Sequence, residues 1–432
     1  MAAEAQRAQR KEGSETCWLT RLARVRRESL VAAVLGCALA APGCSGARER
    51  ARAGEAPRVA VTPPPPPPLP APPATGNPFA GAAFYIDPAY VAKVEATIGA
   101  QPARAAQLRK VEASPTAIWI DSVAKVASVA RTLDDALAQQ QHGGVSVVTV
   151  FVLYDLPERD CSAQASSGEL SVENGGEARY QREVIEPLAA QFRARPSQRI
   201  ALVVEPDSLA NLATNLGVAR CASAAAVYQR SIARALQGLS MPNVWLYLDA
   251  AHAGWLGWKR NRAKIAAIYR DVLAEAGGNA LVRGFATNVS NYDALHGGDL
   301  ARLEPSDPCP DELTYVAELG ASLAEVGITG KGFLIDTSRN GRSGTRTRSG
   351  SWCNIAGSGL GERPQAAPAP GVDAYWWIKP PGDSDGASDP STPGYDASCG
   401  AGSADSLPGA PRAGQWFTAQ FLQLVDNATP PL

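Results

Sequence analysis

From Asn77 onward the chain alternates between two hydrophobic patterns. Short runs that are apolar throughout read as strands buried on both faces, as in a parallel sheet. They are AIWI (117–120), VVTVFVLY (147–154), IALVV (200–204), VWLYL (244–248), VRGFAT (282–287), GFLI (332–335) and AYWWI (374–378). Between them apolar residues recur with the period of an amphipathic helix. Tyr180, Val184, Ile185, Leu188 and Phe192 form one such stripe; Ile265, Ile268, Tyr269, Val272 and Leu273 form another. Strand and helix in repeated alternation predict a parallel sheet with right-handed crossovers. Seven such strands in one domain predict an α/β barrel or a doubly wound sheet. Trp245 and Trp376, inside strands, read as core.

The strands are followed by Asp121, Asp155, Glu205 with Asp207, Asp249, Asn288, Asp336 and Lys379. The C-terminal strand ends of a parallel α/β fold share one face, where ligands bind. These polar residues are therefore expected to converge on one site. Each acid has a plainer alternative as the N-cap of the next helix. That alternative fits Asp121 and Asp336 as well as a site role does. It is also open to Asp207, because SLANLATNLG after it reads as helical.

Ahead of Asn77 the composition changes. A basic stretch, Arg21 to Arg27, precedes an apolar one, Ser29 to Cys44, that ends in small residues. That is the order of a secretory signal, and the apolar part is short for a bilayer span. Cys44 after AAPG resembles a lipoprotein cleavage box, with Ala41 where Leu is usual, so a lipid anchor at Cys44 is the alternative to free secretion. The proline run of Val61 to Gly76 reads as a stiff polyproline spacer. The expected organisation is a leader at 1–44, a linker at 45–76 and one folded domain at 77–432.

The formal charge of the 432 residues is −1, which gives no footprint for nucleic acid. Five of eight cysteines lie in the folded part, enough for two disulfides in an exported protein. With three histidines and no CxxC or HExxH pair, no metal and no cofactor is expected. No subunit pattern is visible, so a monomer is the default.

The chemistry sits in four segments. YDLPERDC carries Asp160, and VVEPDSLAN carries Asp207. YLDAAHAGWLGW carries Asp249, His252, Trp255 and Trp258, and IKPPGDSDG carries Lys379, Asp383 and Asp385. Indole rings stack on the apolar faces of a pyranose, and carboxylates bind its hydroxyls, so this is the composition of a sugar site. Glycoside hydrolysis needs one carboxylic acid to protonate the leaving oxygen. GDSDG (382–386) formally fits a serine nucleophile elbow, but ASDPSTPG after it cannot be the required helix. GSGLG (357–361) has no strand before it and is no dinucleotide fingerprint.

YDLPERDC, EPDSLANLATNLG, YLDAAHAGWLGW, ATNVSNY and WWIKPPGDSDG together resemble the signature segments of glycoside hydrolase family 6, from Asn77 to the C-terminus. The resemblance implies a distorted barrel of seven parallel strands and inverting cleavage of β-1,4-glucan. It makes Asp207 the proton donor, Asp160 the aspartate that raises the donor's pKa, and Asp385 the aspartate argued to be the base. Asp249 matches a substrate-site aspartate. Tyr154 and Ser166 match residues beside the scissile subsite, Ser166 on a loop that helps to hold water. Trp119, His252, Trp255, Trp258, Trp352 and Lys379 match sugar-binding positions, and Asn288 joins them. Where the family commonly has Glu this chain has Asp383, one methylene shorter, which puts that contact in doubt. On this reading Cys161 pairs with Cys221 and Cys353 with Cys399, each bridge stapling an active-site loop, and Cys309 is left over. The long segments 160–176 and 379–416 read as tunnel roofs. They favour a cellobiohydrolase acting from the non-reducing end. An endoglucanase of the same family and a non-catalytic glucan-binding protein are the alternatives.

Overall fold

The computed structural model describes residues 74–432; the expected leader, Cys44 and the linker up to residue 73 lie outside the described residues. The strands are β1 (Ala83–Phe84), β2 (Ile118–Ile120), β3 (Val147–Leu153), β4 (Arg199–Val204), β5 (Val244–Asp249), β6 (Gly284–Thr287), β7 (Gly332–Asp336), β8 (Gln365–Ala369) and β9 (Val372–Trp376). All seven expected strands form, and β1 and β8 are additional. β1 is only two residues long, and the half-exposed QAAPA of β8 has no apolar run. Its Pro368 is tolerated because β8 is an edge strand, antiparallel to β9.

The other strands run parallel, in the order β3-β4-β5-β6-β7-β9, with β1 and β2 on different halves of β3. The curl is completed by one bridge: Thr116 pairs with Trp377, and Ala117 N–H donates to Trp377 O at 3.1 Å. Beside it Trp119 Nε1 donates to Ile378 O at 2.9 Å. Seven parallel strands therefore form the distorted barrel, with a narrow seam between β2 and β9.

Alternate residues of each strand sort into two cores. Val148, Val150, Val152, Ala201, Val203, Tyr247, Ala286, Leu334, Ala374 and Trp376 pack together inside the curl. Phe151, Leu153, Leu202, Val204, Leu246 and Leu248 face the surrounding helices. Both faces being apolar explains why the strands read as unbroken runs. Trp376 is fully buried as expected, whereas Trp245 is only half-buried and donates to Thr75 O at 3.1 Å. A third cluster packs helix Pro88–Ala100 and helix Ala105–Glu112 against helix Thr418–Asp426 and Trp377, covering the seam.

Both helical stripes are helices. Lys259–Ala276 buries Ile265, Tyr269, Val272 and Leu273, with Ile268 partly exposed. The other spans Gly176 to Arg193 and widens to a π-turn over Tyr180–Ile185. The wider turn leaves Tyr180 buried, its hydroxyl donating to Glu205 Oε1 at 2.7 Å under the site.

Gly284 of β6 and Gly332 of β7 face each other in register. A Cβ on Gly284 would meet Gly332 O at 1.8 Å, and one on Gly332 would meet the Asp373 carboxylate at 2.1 Å. Gly284 lets the β7 backbone approach, and Gly332 makes room for Asp373, which takes Arg283 Nη2 at 2.6 Å and Tyr247 OH at 2.7 Å. Gly284→Ala forces backbone against backbone and should destabilise the fold by about 3 kcal/mol or more, read as a lower urea midpoint.

Candidate active site

The strand ends carry the strain of the fold. Glu158, Asp160, Glu205, Asp207, Ala251, Asn288, Ser290 and Asn354 all have positive φ; outside this region only Ala367 does among the described non-glycine residues. Such backbone is uncommon for residues with a Cβ and clusters at sites whose geometry matters more than local comfort. Asp207, at φ +66°, stands at the N-cap position of helix Ser208–Thr214, but its side chain makes no cap bond. The capping alternative therefore fails for Asp207, and its carboxyl is left for the cleft. It fails for Asp121 and Asp336 too. Asp121 pairs with Lys125 at 2.8 Å. Asp336 accepts backbone N–H groups from Ser290, Ser338, Ile378 and Lys379, tying three strand ends together.

Burial is the main force on the Asp207 carboxyl and holds its pKa well above the carboxylate range. The next cause is the Asp249 carboxylate, then Asp160, while Lys379 opposes them. The family resemblance points to Asp160 alone as the charge beside Asp207; Asp249 comes first. Asp249 is 4% exposed, and its Oδ2 accepts the N–H of Asp207 at 3.0 Å and of Ala251 at 3.1 Å. Burial pushes its own pKa to about 7 despite those bonds. Asp160 is pushed to about 6 by burial, against the pull of Arg159 and Arg220, with Asp396 adding a smaller lift. Tyr154, buried, completes this corner, edge-on to Trp119 at 5.4 Å and under the Arg159 guanidinium at 4.6 Å. Ser166 sits on the adjoining loop, which Arg159 Nε holds through Ser166 O at 2.7 Å.

Asp385 is the opposite case. Burial would raise its pKa, but Arg339 and Lys379 hold it below the usual range. Arg339 Nη1 reaches both oxygens at 2.7 Å, Tyr292 OH and Asn354 N–H each donate to Oδ2 at 2.8 Å, and Lys379 Nζ is 3.6 Å from Oδ1. A carboxylate with this many donors is a poor proton acceptor. Lys379 Nζ also lies over the Trp119 ring at 5.5 Å.

The other expected residues divide. Trp255 and Trp258 are partly exposed after β5, Trp255 Nε1 donating to Thr214 Oγ1 at 2.7 Å. Trp352, also partly exposed, packs on the Cys353–Cys399 bridge. His252 has its ring nitrogens occupied by Asp293 at 2.7 Å and by Asn291 at 2.9 Å, so it offers a sugar its ring alone. Asn288 does not line the cleft. It is fully buried, with its amide spent on Asp293 N, Asp293 O and Asp336 O. Asp383 is taken by Lys93 Nζ at 2.7 Å, so the doubt about its sugar contact has a structural ground. Ser384 of the GDSDG decoy is fully buried among backbone acceptors.

Three residues that matter were missed. Arg339, Tyr292 and Asn354 hold Asp385, and Arg339 lies only three residues beyond Asp336 in a strand-end loop. The strand-end rule would have found it had basic residues been searched beside acidic ones.

His252, Asp293 and Glu312 bring one donor atom each within 4.8 Å of one another. Arg346 Nη2 and Gly254 N–H already fill Asp293 at 2.6 and 2.9 Å, and burial with Asp293 alongside pushes Glu312 well up in pKa. This donor set is that of a protein hydrogen-bond cluster, not of a cation site. Cys161–Cys221 and Cys353–Cys399 both form, and Cys309 is free and buried. The two segments read as roofs meet: Gln164 N–H donates to Asp396 Oδ2 at 3.0 Å, and Ala165 packs on Cys353 and Cys399.

Comparison with known proteins gives consistent findings. A family model described as glycosyl hydrolases family 6 matches residues 79–428. The 1,4-beta-D-glucan cellobiohydrolase C of Emericella nidulans is 40% identical over 368 residues, covering 83% of this chain and 79% of that protein. The catalytic core domain of the cellobiohydrolase Cel6A from Chaetomium thermophilum superposes with a TM-score of 0.79 at 40% identity, covering 82% of this chain and 99% of that one. Cellobiohydrolase II (Cel6A) from Humicola insolens, solved with glucose and cellotetraose, does so at 0.79 and 37%, covering 83% and 100%.

Asp249→Asn keeps an acceptor for the two N–H groups and removes the charge. With a folded pKa raised to about 7, wild-type Asp249 is without penalty below about pH 4 and loses stability as pH rises through about 7. The variant should match wild type in thermal unfolding near pH 4 and exceed it at pH 8. The alkaline limb of its rate profile should move to lower pH, because the charge that most lifts Asp207 is gone.

Proposed function

The chain belongs to glycosyl hydrolases family 6, and on that premise we propose that it is an inverting cellulase, a 1,4-β-cellobiohydrolase that releases cellobiose from the non-reducing ends of cellulose. Asp207 is the proton donor. The observation that carries this reading is the Asp207 carboxyl, partly exposed at a strand end yet held uncharged by burial and by Asp249 and Asp160. It hands its proton to the glycosidic oxygen as the C1–O bond breaks. Water attacks C1 from the opposite face, which inverts the anomeric centre. Asp160, with a pKa of about 6, receives the proton that the water gives up, and Ser166 helps to place that water. Asp385 remains an anion throughout and stabilises the positive charge that develops on the sugar ring. Trp119, Trp255, Trp258 and Trp352 supply stacking faces, and Lys379 donates to hydroxyls.

The meeting of the two roof segments supports exo action, because an enclosed chain is reached from its end. The two disulfides support export, since such bonds persist in oxidising compartments. Among the described residues no helix is long and apolar enough to cross a membrane.

Asp207→Asn should lower kcat on cellotetraose by about 10²–10⁴-fold while leaving cellulose binding in place. Retained turnover would remove Asp207 from the donor role. On carboxymethylcellulose the wild type should release soluble sugar with little fall in viscosity; a rapid fall would replace the exo reading with an endo one.

A further inference from the structure

The roof consists of two segments, each anchored on its own side. Segment 160–176 is held by Cys161–Cys221, by Arg159 Nε on Ser166 O, and by Arg220 Nη2, which donates to Arg159 O at 2.7 Å. Segment 379–416 is held by Cys353–Cys399, by Trp416 Nε1 donating to Thr97 Oγ1 at 3.0 Å, and by Ser384 Oγ donating to Pro411 O at 2.9 Å. Among the described residues one hydrogen bond crosses between the segments, from Gln164 N–H to Asp396 Oδ2 at 3.0 Å. The other oxygen of Asp396 accepts Ser398 N–H at 2.9 Å and starts the short turn Ala397–Cys399. One carboxylate thus secures its own loop with one oxygen and holds the other segment with the second. Beside this bond Ala165 packs on the disulfide and close to Gly386, where a Cβ would come to 2.9 Å from its own, while near Gly394 the approach is looser, at 3.5 Å to Ala165 O.

We propose that Asp396 is the latch of the roof, a positioning residue whose bond to Gln164 holds the two segments together over a glucan chain and sets the balance between chain-end release and internal cutting. The inference rests on the exo reading above. A single charge-assisted hydrogen bond at the surface biases a loop pair toward closure and still breaks readily. The two disulfides keep each segment folded when it does, so opening is a swing of preformed loops.

Asp396→Ser keeps a hydroxyl for Ser398 N–H and is too short to reach Gln164. Gln164→Pro removes the N–H from the other side and leaves Asp396 intact. In both variants viscosity loss per reducing end released on carboxymethylcellulose should rise at least about threefold. Turnover of cellotetraose, which needs no closed roof to stay engaged, should remain within about twofold at each variant's own pH optimum, with an unchanged thermal midpoint; for Asp396→Ser the acid limb moves to lower pH, because the charge that adds to the lift on Asp160 is gone. An unchanged viscosity ratio in folded variants overturns the latch. So does loss of cellotetraose turnover, which would make Asp396 part of the catalytic machinery. The exo reading fails separately, on the wild type alone, if it already cuts internally; the latch fails only if the variants do not differ from it.

Discussion

A carboxyl group taken out of water must either give up its charge or be met by a positive partner. The mouth of this barrel uses both solutions side by side, and its chemistry follows from which acid has which. Asp249 is buried and Asp207 and Asp160 are largely withdrawn from water, all three without a bonded cation, and their proton affinity rises. Asp385 and Asp293 are buried against Arg339 and Arg346 and stay charged. A carboxyl that keeps its proton and a carboxylate that stays charged can then stand at one barrel mouth at the same pH, which is what the proposed hydrolysis draws on.

The hinge of this arrangement is the main-chain N–H of Asp207 resting on Asp249. That bond fixes the left-handed turn that swings the Asp207 side chain off the start of its helix. A side chain free to cap would accept helix N–H groups, and those bonds favour the ionised form. The strained backbone and the proton held near neutral pH are therefore two faces of the same bond. The seam serves the same end. β2 and β9 join through little more than Thr116 and Trp377, and just above them Trp119 and Lys379 stack at the cleft. Helices from both ends of the chain cover the seam from outside.

Much of this was legible in the sequence because it rests on local pattern. Strands buried on both faces give continuous apolar runs, and the acids after them are where a parallel fold puts its site. Asp207 and Asp249 were found that way; Asp160 and Asp385 came from the acid-rich segments, and the family resemblance supplied the roles. What was not legible depends on contacts between distant segments. No local pattern tells that Lys93 claims Asp383, or that Asn288 turns inward to brace Asp293 and Asp336. β8 was missed because an exposed edge strand needs no apolar run. Asp249 was found as a substrate-site aspartate, but its grip on Asp207 N–H was not legible, since that bond exists only when β4 and β5 lie side by side.

Cys309 carries a last consequence. Among the described residues it is the one free thiol beside two disulfides, and such a thiol is a threat, because a thiolate can attack either bridge and scramble the pairing. Here the sulfur lies fully buried, donating to Gly257 O at 3.2 Å, and burial raises its pKa to about 11. At neutral pH almost none of it is nucleophilic. Held between Gly257 and Arg262 of the helix Lys259–Ala276, the sulfur is withdrawn from exchange, and the two bridges are spared an attacker inside the fold.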